Sequence, residues 1–210
     1  ESNSLMIKGL VSGWGAEYRE LPIVKDQMTQ LKTSMERAVA QSDIVLINGG
    51  SSKGSENLSI PLLQKMGQVL QHYVRCAPGR PMSVSLVGQT LVINVPGPTL
   101  AAFAVCDWAV KPAVLRYQGY AETDAAEIEA VLEEDLNSLP FMEIYTRVIL
   151  TKKDEQWYAK TAGKSCFNGR WRRKMQRYSG NGAWTKRIQS RRSGQDKKHK
   201  YIEKFYRKTI

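Results

Sequence analysis

Leucine and valine are missing altogether from residues 165–210 of this 210-residue chain, which excludes an ordinary aliphatic core there. Cysteine is scarce throughout. Cys76, Cys106 and Cys166 are odd in number and far apart, which excludes a disulfide-stapled scaffold and the paired spacing of a zinc site. His72 and His199 have no evident partner and both read as solvent-facing. No apolar run is long enough to cross a bilayer, and no leader pattern is visible. These absences point to a reducing cytoplasm and away from a membrane. The chain opens on Glu1 rather than methionine, as expected of a processed chain or a piece of a longer one.

Acidic residues are also unevenly spread. Residues 1–120 hold 11 basic and 8 acidic side chains (+3), residues 121–164 hold 5 and 10 (−5), and residues 165–210 hold 15 and 2 (+13). The net charge of +11 is therefore a property of the last segment. Trp171, Tyr178, Trp184, Phe205 and Tyr206 are scattered there among arginines and lysines such as Arg172, Arg173, Lys174, Arg177, Arg191 and Arg192. Too little apolar surface offsets the entropy of ordering, so residues 165–210 are expected to be a disordered or weakly helical basic tail. Its charge predicts weak, nonspecific attraction to nucleic acid. A frameshifted or unrelated coding end is the bland alternative.

What is present is organised around Ser42 to Asn57. Ile44 to Ile47 is an unbroken aliphatic run, the mark of a strand buried on both faces of a parallel sheet. Gly49-Gly50-Ser51-Ser52-Lys53-Gly54-Ser55 follows, and then a helical pattern from about Ser59. Strand, glycine-rich loop and helix in that order suit a phosphate or other oxyanion, because glycines expose backbone N–H groups beside a helix N-terminus. The ending of a Walker loop is absent, and the pattern alone leaves an ordinary strand-to-helix turn open.

The remaining periodicities predict a helix over residues 3–15 capped by Asn3 or Ser4, and a short strand within 17–24 interrupted by Pro22. They predict a helix capped by Asp26, with Met28, Leu31, Met35, Ala38 and Val39 on a core face. A third helix carries Ile60 through Leu70. Strands at 82–87 and 90–95 turn at Gly88-Gln89, and a buried helix capped by Thr99 runs from Leu100 to about Tyr117. This alternation argues for an α/β domain with helices on both faces of a mostly parallel sheet, in which ligands sit at strand carboxyl ends. The loop at 49–57 and the turn at 96–99 are then expected to line one crevice. Gly119 and the acidic stretch after it mark a boundary. Residues 128–136, 142–151 and 156–161 read as extended, with Lys152 to Glu155 as a turn, the start of a small, incomplete β domain.

Ser42 to Asn57 resembles the strand and Ser-Gly-Gly-x-Ser-x-Gly loop of the molybdopterin molybdenumtransferases, the MoeA type shared with the molybdenum-cofactor domain of gephyrin. Three further stretches agree in order. Glu1-Ser2-Asn3-Ser4 resembles the family's Asp-x-Asn-x opening, Ala77-Pro78-Gly79-Arg80-Pro81 its Lys-Pro-Gly-Lys-Pro segment, and Val95-Pro96-Gly97-Pro98-Thr99 its Leu-Pro-Gly-Asn-Pro turn. The helix running out to Gly119 also resembles that family's exit from this domain.

The resemblance implies a three-layer α/β/α domain at 1–119, a partial C-terminal β domain at 120–164 and the basic tail at 165–210. It implies molybdenum-cofactor biosynthesis, in which molybdate is inserted into adenylylated molybdopterin with Mg2+, by a protein that is a homodimer at full length. Asn3, Gly49, Gly50, Ser51, Ser52, Gly54, Ser55, Arg80, Pro96, Gly97 and Pro98 would bind the molybdopterin. Glu56, Asn57 and Glu1 would act in catalysis, with Glu1 and Glu56 holding the metal. Asn57 stands where the family's loop usually ends in aspartate, Ala77 where it usually has lysine, and Glu1 where it has aspartate. The family's N-terminal substrate-cradling and linker domains are expected to be absent before Glu1. A non-catalytic molybdopterin- or molybdate-binding module is the alternative, and nucleic-acid binding through the tail is a further one.

Overall fold

The computed structural model describes residues 3–49, 58–120, 129–134 and 141–162, together with the backbone of 182–187 and 204–206. The chain divides into two compact units, Glu1–Glu122 and Thr123–Ile210.

In the first unit α1 (Ser4–Gly13) and α2 (Met28–Gln41) precede β1 (Ile44–Asn48), and α3 (Ser59–Met66) follows it. Then come β2 (Gln68–His72), the short β3 (Cys76–Ala77), β4 (Ser83–Val87) and β5 (Thr90–Val95). A continuous helical stretch ends the unit: α4 (Thr99–Val105), a π-helical segment (Cys106–Val110) and α5 (Lys111–Tyr117). The sheet order is β1-β5-β4-β2.

Alternation along the strands divides the core between the two faces of the sheet. Ile44, Leu46, Leu91, Ile93 and Val95 pack with Ile7 and Val11 of α1 and with Val105 and Val110 of the long helix. Val45, Ile47 and Val92 pack with Met35 of α2 and with Leu62 and Leu63 of α3. Helices thus cover both faces, and the α/β class holds. The methionine stripe is core, as its spacing predicts: Met28, Leu31, Met35 and Val39 all join the second cluster.

Several local expectations are corrected. The sheet is mixed, because β1 pairs with β5 in parallel while β5–β4 and β4–β2 are antiparallel. Among the described residues β1 is an edge strand, so all five of its positions are only half-buried although both its faces pack. The helical pattern at 60–70 breaks at Gly67, and Val69 and Leu70 belong to β2. A Cβ at Gly67 would lie 2.1 Å from the Leu86 carbonyl oxygen, so the backbones of the two strands close directly on this glycine. His72 is half-buried in β2 rather than solvent-facing, with its ring against Tyr73. Segment 17–24 forms no strand, consistent with Pro22 lacking a ladder donor. Neither Asp26 nor Thr99 makes a cap: α2 starts after Gln27, and Thr99 is itself the first residue of α4.

The second unit holds β6 (Val131–Leu132), the short β7 (Glu143–Ile144), β8 (Arg147–Lys153), β9 (Gln156–Thr161), β10 (Gly182–Arg187) and β11 (Lys204–Tyr206). Its sheet runs β11-β10-β8-β9-β6. The β8–β9 turn is two residues, Asp154 and Glu155, both with positive φ, so Lys152 and Lys153 belong to the strand. Two stretches of the basic segment supply β10 and β11, where composition predicts disorder. They pair through backbone hydrogen bonds with β8 and with each other, so an aliphatic core of their own is not required. The described core of this unit is small: Ala130, Val148 and Ala159, flanked by Leu132, Leu150 and Trp157.

Candidate functional site

Parallel pairing of β1 with β5 puts their carboxyl ends side by side, with Asn48 opposite Val95. The chain direction of β4 and β2 brings the amino end of β4 and the carboxyl end of β2 to the same edge. Three connections therefore reach one edge of the sheet: the β1–α3 connection, at the exit from β1 and the start of α3, the β5–α4 turn, and the loop from Tyr73 to Met82. In α/β sheets this edge is where ligands are held.

The exits of β1 and β5 are fastened together. Gly49 has φ +106, a conformation open to glycine at little cost, and its N–H donates to the Val95 carbonyl at 3.1 Å. Asn3, 2% exposed, joins α1 to both exits. Its side-chain nitrogen donates to Asn48 Oδ1 at 3.2 Å and to the Gly97 carbonyl at 2.7 Å. Asn3 makes no side-chain cap on α1, so its amide ties loops together instead. Pro96 is buried, whereas Gly97, Pro98 and Thr99 are exposed at the rim.

Arg80 stands on the loop that joins β2 to β4 and is exposed. The loop is held by backbone bonds from Val74 N to Arg80 O and from Met82 N to Gly79 O, each 3.0 Å. Gly79 beside it has φ +123, and a Cβ there would come within 3.0 Å of Val105 and 3.2 Å of Trp108. Only glycine seats this loop against the π-helical turn of the long helix. Arg80 is thereby presented at the strand-end edge with a guanidinium suited to phosphate or carboxylate.

The buried polar side chains on the α3 face of this edge were passed over in the sequence. Asn94 is fully buried on β5, and its Nδ2 donates to Ser59 Oγ at 2.9 Å, at the first residue of α3. Ser83 lies opposite Asn94 in the β4–β5 register and is also fully buried. A signal was present: within Thr90-Leu-Val-Ile-Asn-Val95, asparagine occupies a position whose parity matches Val92, which is core.

The structure brings together Asn3, Gly49, Arg80, Pro96, Gly97 and Pro98 of the expected site at one sheet edge. Glu1, Gly50, Ser51, Ser52, Gly54, Ser55, Glu56 and Asn57 lie outside the described residues. Among the described residues no three His, Cys, Asp or Glu side chains cluster as a metal site would require. Both described cysteines are buried, and burial, with Asp107 adding to it, pushes the Cys106 thiol up to about 12. Cys106 is therefore held as a thiol at neutral pH and is no nucleophile. No helix among the described residues is long and apolar enough to cross a membrane.

Comparison with known proteins agrees with the fold of the first unit. A family model described as "Probable molybdopterin binding domain" matches residues 1–116. A molybdopterin molybdenumtransferase of Nostoc sp. is 31% identical over 127 residues, covering 58% of this chain and 29% of that protein. One from Haemophilus influenzae is 24% identical over 119 residues, covering 57% of this chain and 30% of its own length. The chain thus spans less than a third of the length of these relatives. Among solved structures, a molybdopterin biosynthesis MoeA protein of Pyrococcus horikoshii shares the fold with a TM-score of 0.64 at 22% identity, covering 78% of this chain and 39% of that one.

Proposed function

The chain belongs to the molybdopterin-binding domain family, and from that premise we propose that its first unit binds a molybdopterin-type ligand at the carboxyl edge of the sheet. The observation that carries this reading is the convergence of Asn3, Gly49, Gly97 and Arg80 on that edge, with Asn3 bridging the two strand exits at 3.2 and 2.7 Å. The Gly49 N–H is taken by the Val95 carbonyl, so the backbone N–H groups of Gly50, Ser51, Ser52, Gly54 and Ser55 hold the phosphate, Arg80 pairs with it through its fork, and the Pro96–Pro98 turn forms the opposite rim. In a longer protein this unit serves insertion of molybdate into adenylylated molybdopterin, in the cytoplasm and within a homodimer.

Magnesium falls to Glu1 and Glu56 in this reading, since hard cations take carboxylate oxygens. The connectivity fits: Glu1 can be no more than about 7 Å from Asn3, and Asn3 is fastened to the site edge. When bound, the cation supplies positive charge against the ligand's phosphates. Asn57, a neutral amide, adds no charge to that pair.

Calorimetry of the full chain with adenylylated molybdopterin tests the site. Binding by the wild type, weakened about 10- to 100-fold by Arg80→Ala, is the expected result for a lost charge-assisted hydrogen bond. Gly50→Val, which blocks backbone approach, weakens binding as well. Equal affinity for wild type and Gly50→Val would sink the assignment.

A further inference from the structure

Leu21-Pro22-Ile23-Val24 is a run of four apolar residues outside any helix or strand. Connections are ordinarily polar, and an apolar run of this length at the surface calls for a binding role. Ile23 is 81% exposed. From Ala16 to Lys25 the chain makes neither turn nor bend, so it passes straight. Among the described residues, Glu20 through Val24 make no main-chain hydrogen bond. Pro22 has no N–H, but Leu21 and Ile23 on either side of it each offer an N–H and a C=O.

Beside this run lies a groove of about 390 Å³. Its other wall is a stripe of α2: Gln30, Thr33, Ser34 and Arg37, at the spacing that puts side chains on one helix face. Gln30 donates to Gln27 Oε1 at 2.8 Å, and Thr33 Oγ1 donates to the Thr29 carbonyl at 3.1 Å. Arg37 is exposed and forms no ion pair among the described residues, whereas Lys32 on the same helix has Glu36 at 3.7 Å. No acidic side chain among the described residues lines the groove. We propose that this groove docks an extended peptide segment of a partner protein, with aliphatic side chains at alternate positions and a carboxylate that pairs with Arg37. The residues differ from those of the ligand site, so the inference does not rest on that reading.

Three kinds of complementarity select this occupant. A peptide main chain completes the unused donors and acceptors of Leu21 and Ile23, as in strand addition. A helix would satisfy its own main chain and leave theirs unpaired. Aliphatic side chains on the peptide cover Ile23 and its neighbours and remove apolar surface from water. The Arg37 guanidinium has no carboxylate of its own and donates to the partner's. A groove of this volume takes a few side chains rather than a whole folded element.

The test selects binders of the full chain from a displayed library of short random peptides. Enriched sequences should alternate aliphatic residues and carry Asp or Glu at a fixed place. A synthetic peptide of the enriched sequence then gives affinities by fluorescence anisotropy. Arg37→Ala should weaken it about tenfold, the scale of one charge-assisted hydrogen bond. Arg37→Glu, put through the same selection, should enrich Lys or Arg at that place instead. Ile23→Asp should abolish binding. Methylating alternate main-chain nitrogens of the peptide should weaken binding for one set of positions and spare the other. Both substituted side chains are exposed, so melting temperatures near wild type confirm that the variants fold. No enriched sequence, enrichment without a carboxylate, or an affinity that neither variant changes would overturn the proposal. So would a bound peptide that turns helical by circular dichroism. Self-association of the chain that Ile23→Asp abolishes would also overturn it, by making the groove a contact between copies.

Discussion

The two units build sheets of similar size on very different foundations. In the first, both faces of a four-stranded sheet are covered by helices: residues of α3 and the long helix reach complete burial against it, and α1 buries Ile7 and Val11. In the second, a five-stranded sheet has one small described cluster around Val148, and Val131 and Ile149 are left 40% and 38% exposed. Ladder pairing defines both sheets. Burial separates them, since a sheet draws its stability from what covers its faces. The contrast explains why the family-like motifs concentrate in the first unit: loops that must present groups precisely need a rigid support beneath them.

The comparison is sharpened most by cutting into each core. Leu63→Ala in α3, fully buried, should cost the first unit about 2–5 kcal/mol. Val148→Ala should cost the second about 2 kcal/mol at most, because fewer methylenes leave a core with fewer neighbours. Hydrogen exchange of each unit's own amides reads the two losses, and equal losses would break the contrast.

A smaller effect lies in the backbone. The first unit places glycine at positive φ at Gly49, Gly79 and Gly88 and leaves Tyr73 at φ 60°, whereas the two-residue β8–β9 turn of the second has no glycine and holds Asp154 and Glu155 at φ 46° and 65°. Glu155→Gly should therefore stabilise the second unit by about 1 kcal/mol in a thermal melt. It forfeits only the exposed pairing of Glu155 with Lys152, which is worth little. A destabilised variant would show that the turn is not strained.

The smallest effects are with pH, and they have opposite signs. Glu134 accepts from the Thr161 side chain and, at 2.7 Å, from its N–H, which lowers its pKa. A lowered carboxyl pKa contributes stability above the ordinary carboxylate range, and that contribution is lost as pH falls through the folded value. Tyr117 donates to Asp43 Oδ1 at 2.6 Å, which raises its pKa. That contribution is complete below the ordinary tyrosine value and disappears as pH rises through the folded one. Acid should therefore loosen the β6–β9 contact, and alkali the joint between α5 and the start of β1. Both contributions to stability are small because solvent screens these exposed groups. NMR titration of the two sites checks them, and a Glu134 pKa at or above the usual carboxylate value would remove the first.

Much of the first unit was legible because short-range periodicity and burial coincide there. The Ile44–Ile47 strand, the hairpin around Gly88-Gln89 and the methionine face of α2 all follow from patterns a few residues long. The end of α3 was not, because Val69 and Leu70 continue the helical spacing of Ile60 to Met66. Pairing with Ser85 and its neighbours on β4 claims them for the sheet. The strands in the basic segment were illegible for a related reason. Backbone pairing needs no aliphatic side chain, and composition reports only side chains.

The glycine-rich stretch, the Pro96-Gly97-Pro98 turn and the Pro78-Gly79-Arg80 loop are local sequences, and the sequence by itself determined that this chain carries them and in what order. Sheet order is not local. Only the tertiary structure placed β5 beside β1 in parallel, although more than forty residues separate them, and so brought Gly49 to Val95 and Asn3 to Gly97. The same packing turned Asn94 from an unremarked residue of an apolar strand into a hydrogen-bond partner of α3's first residue. Strand neighbours are chosen by which faces bury together, a property of the whole packed unit and of no single stretch.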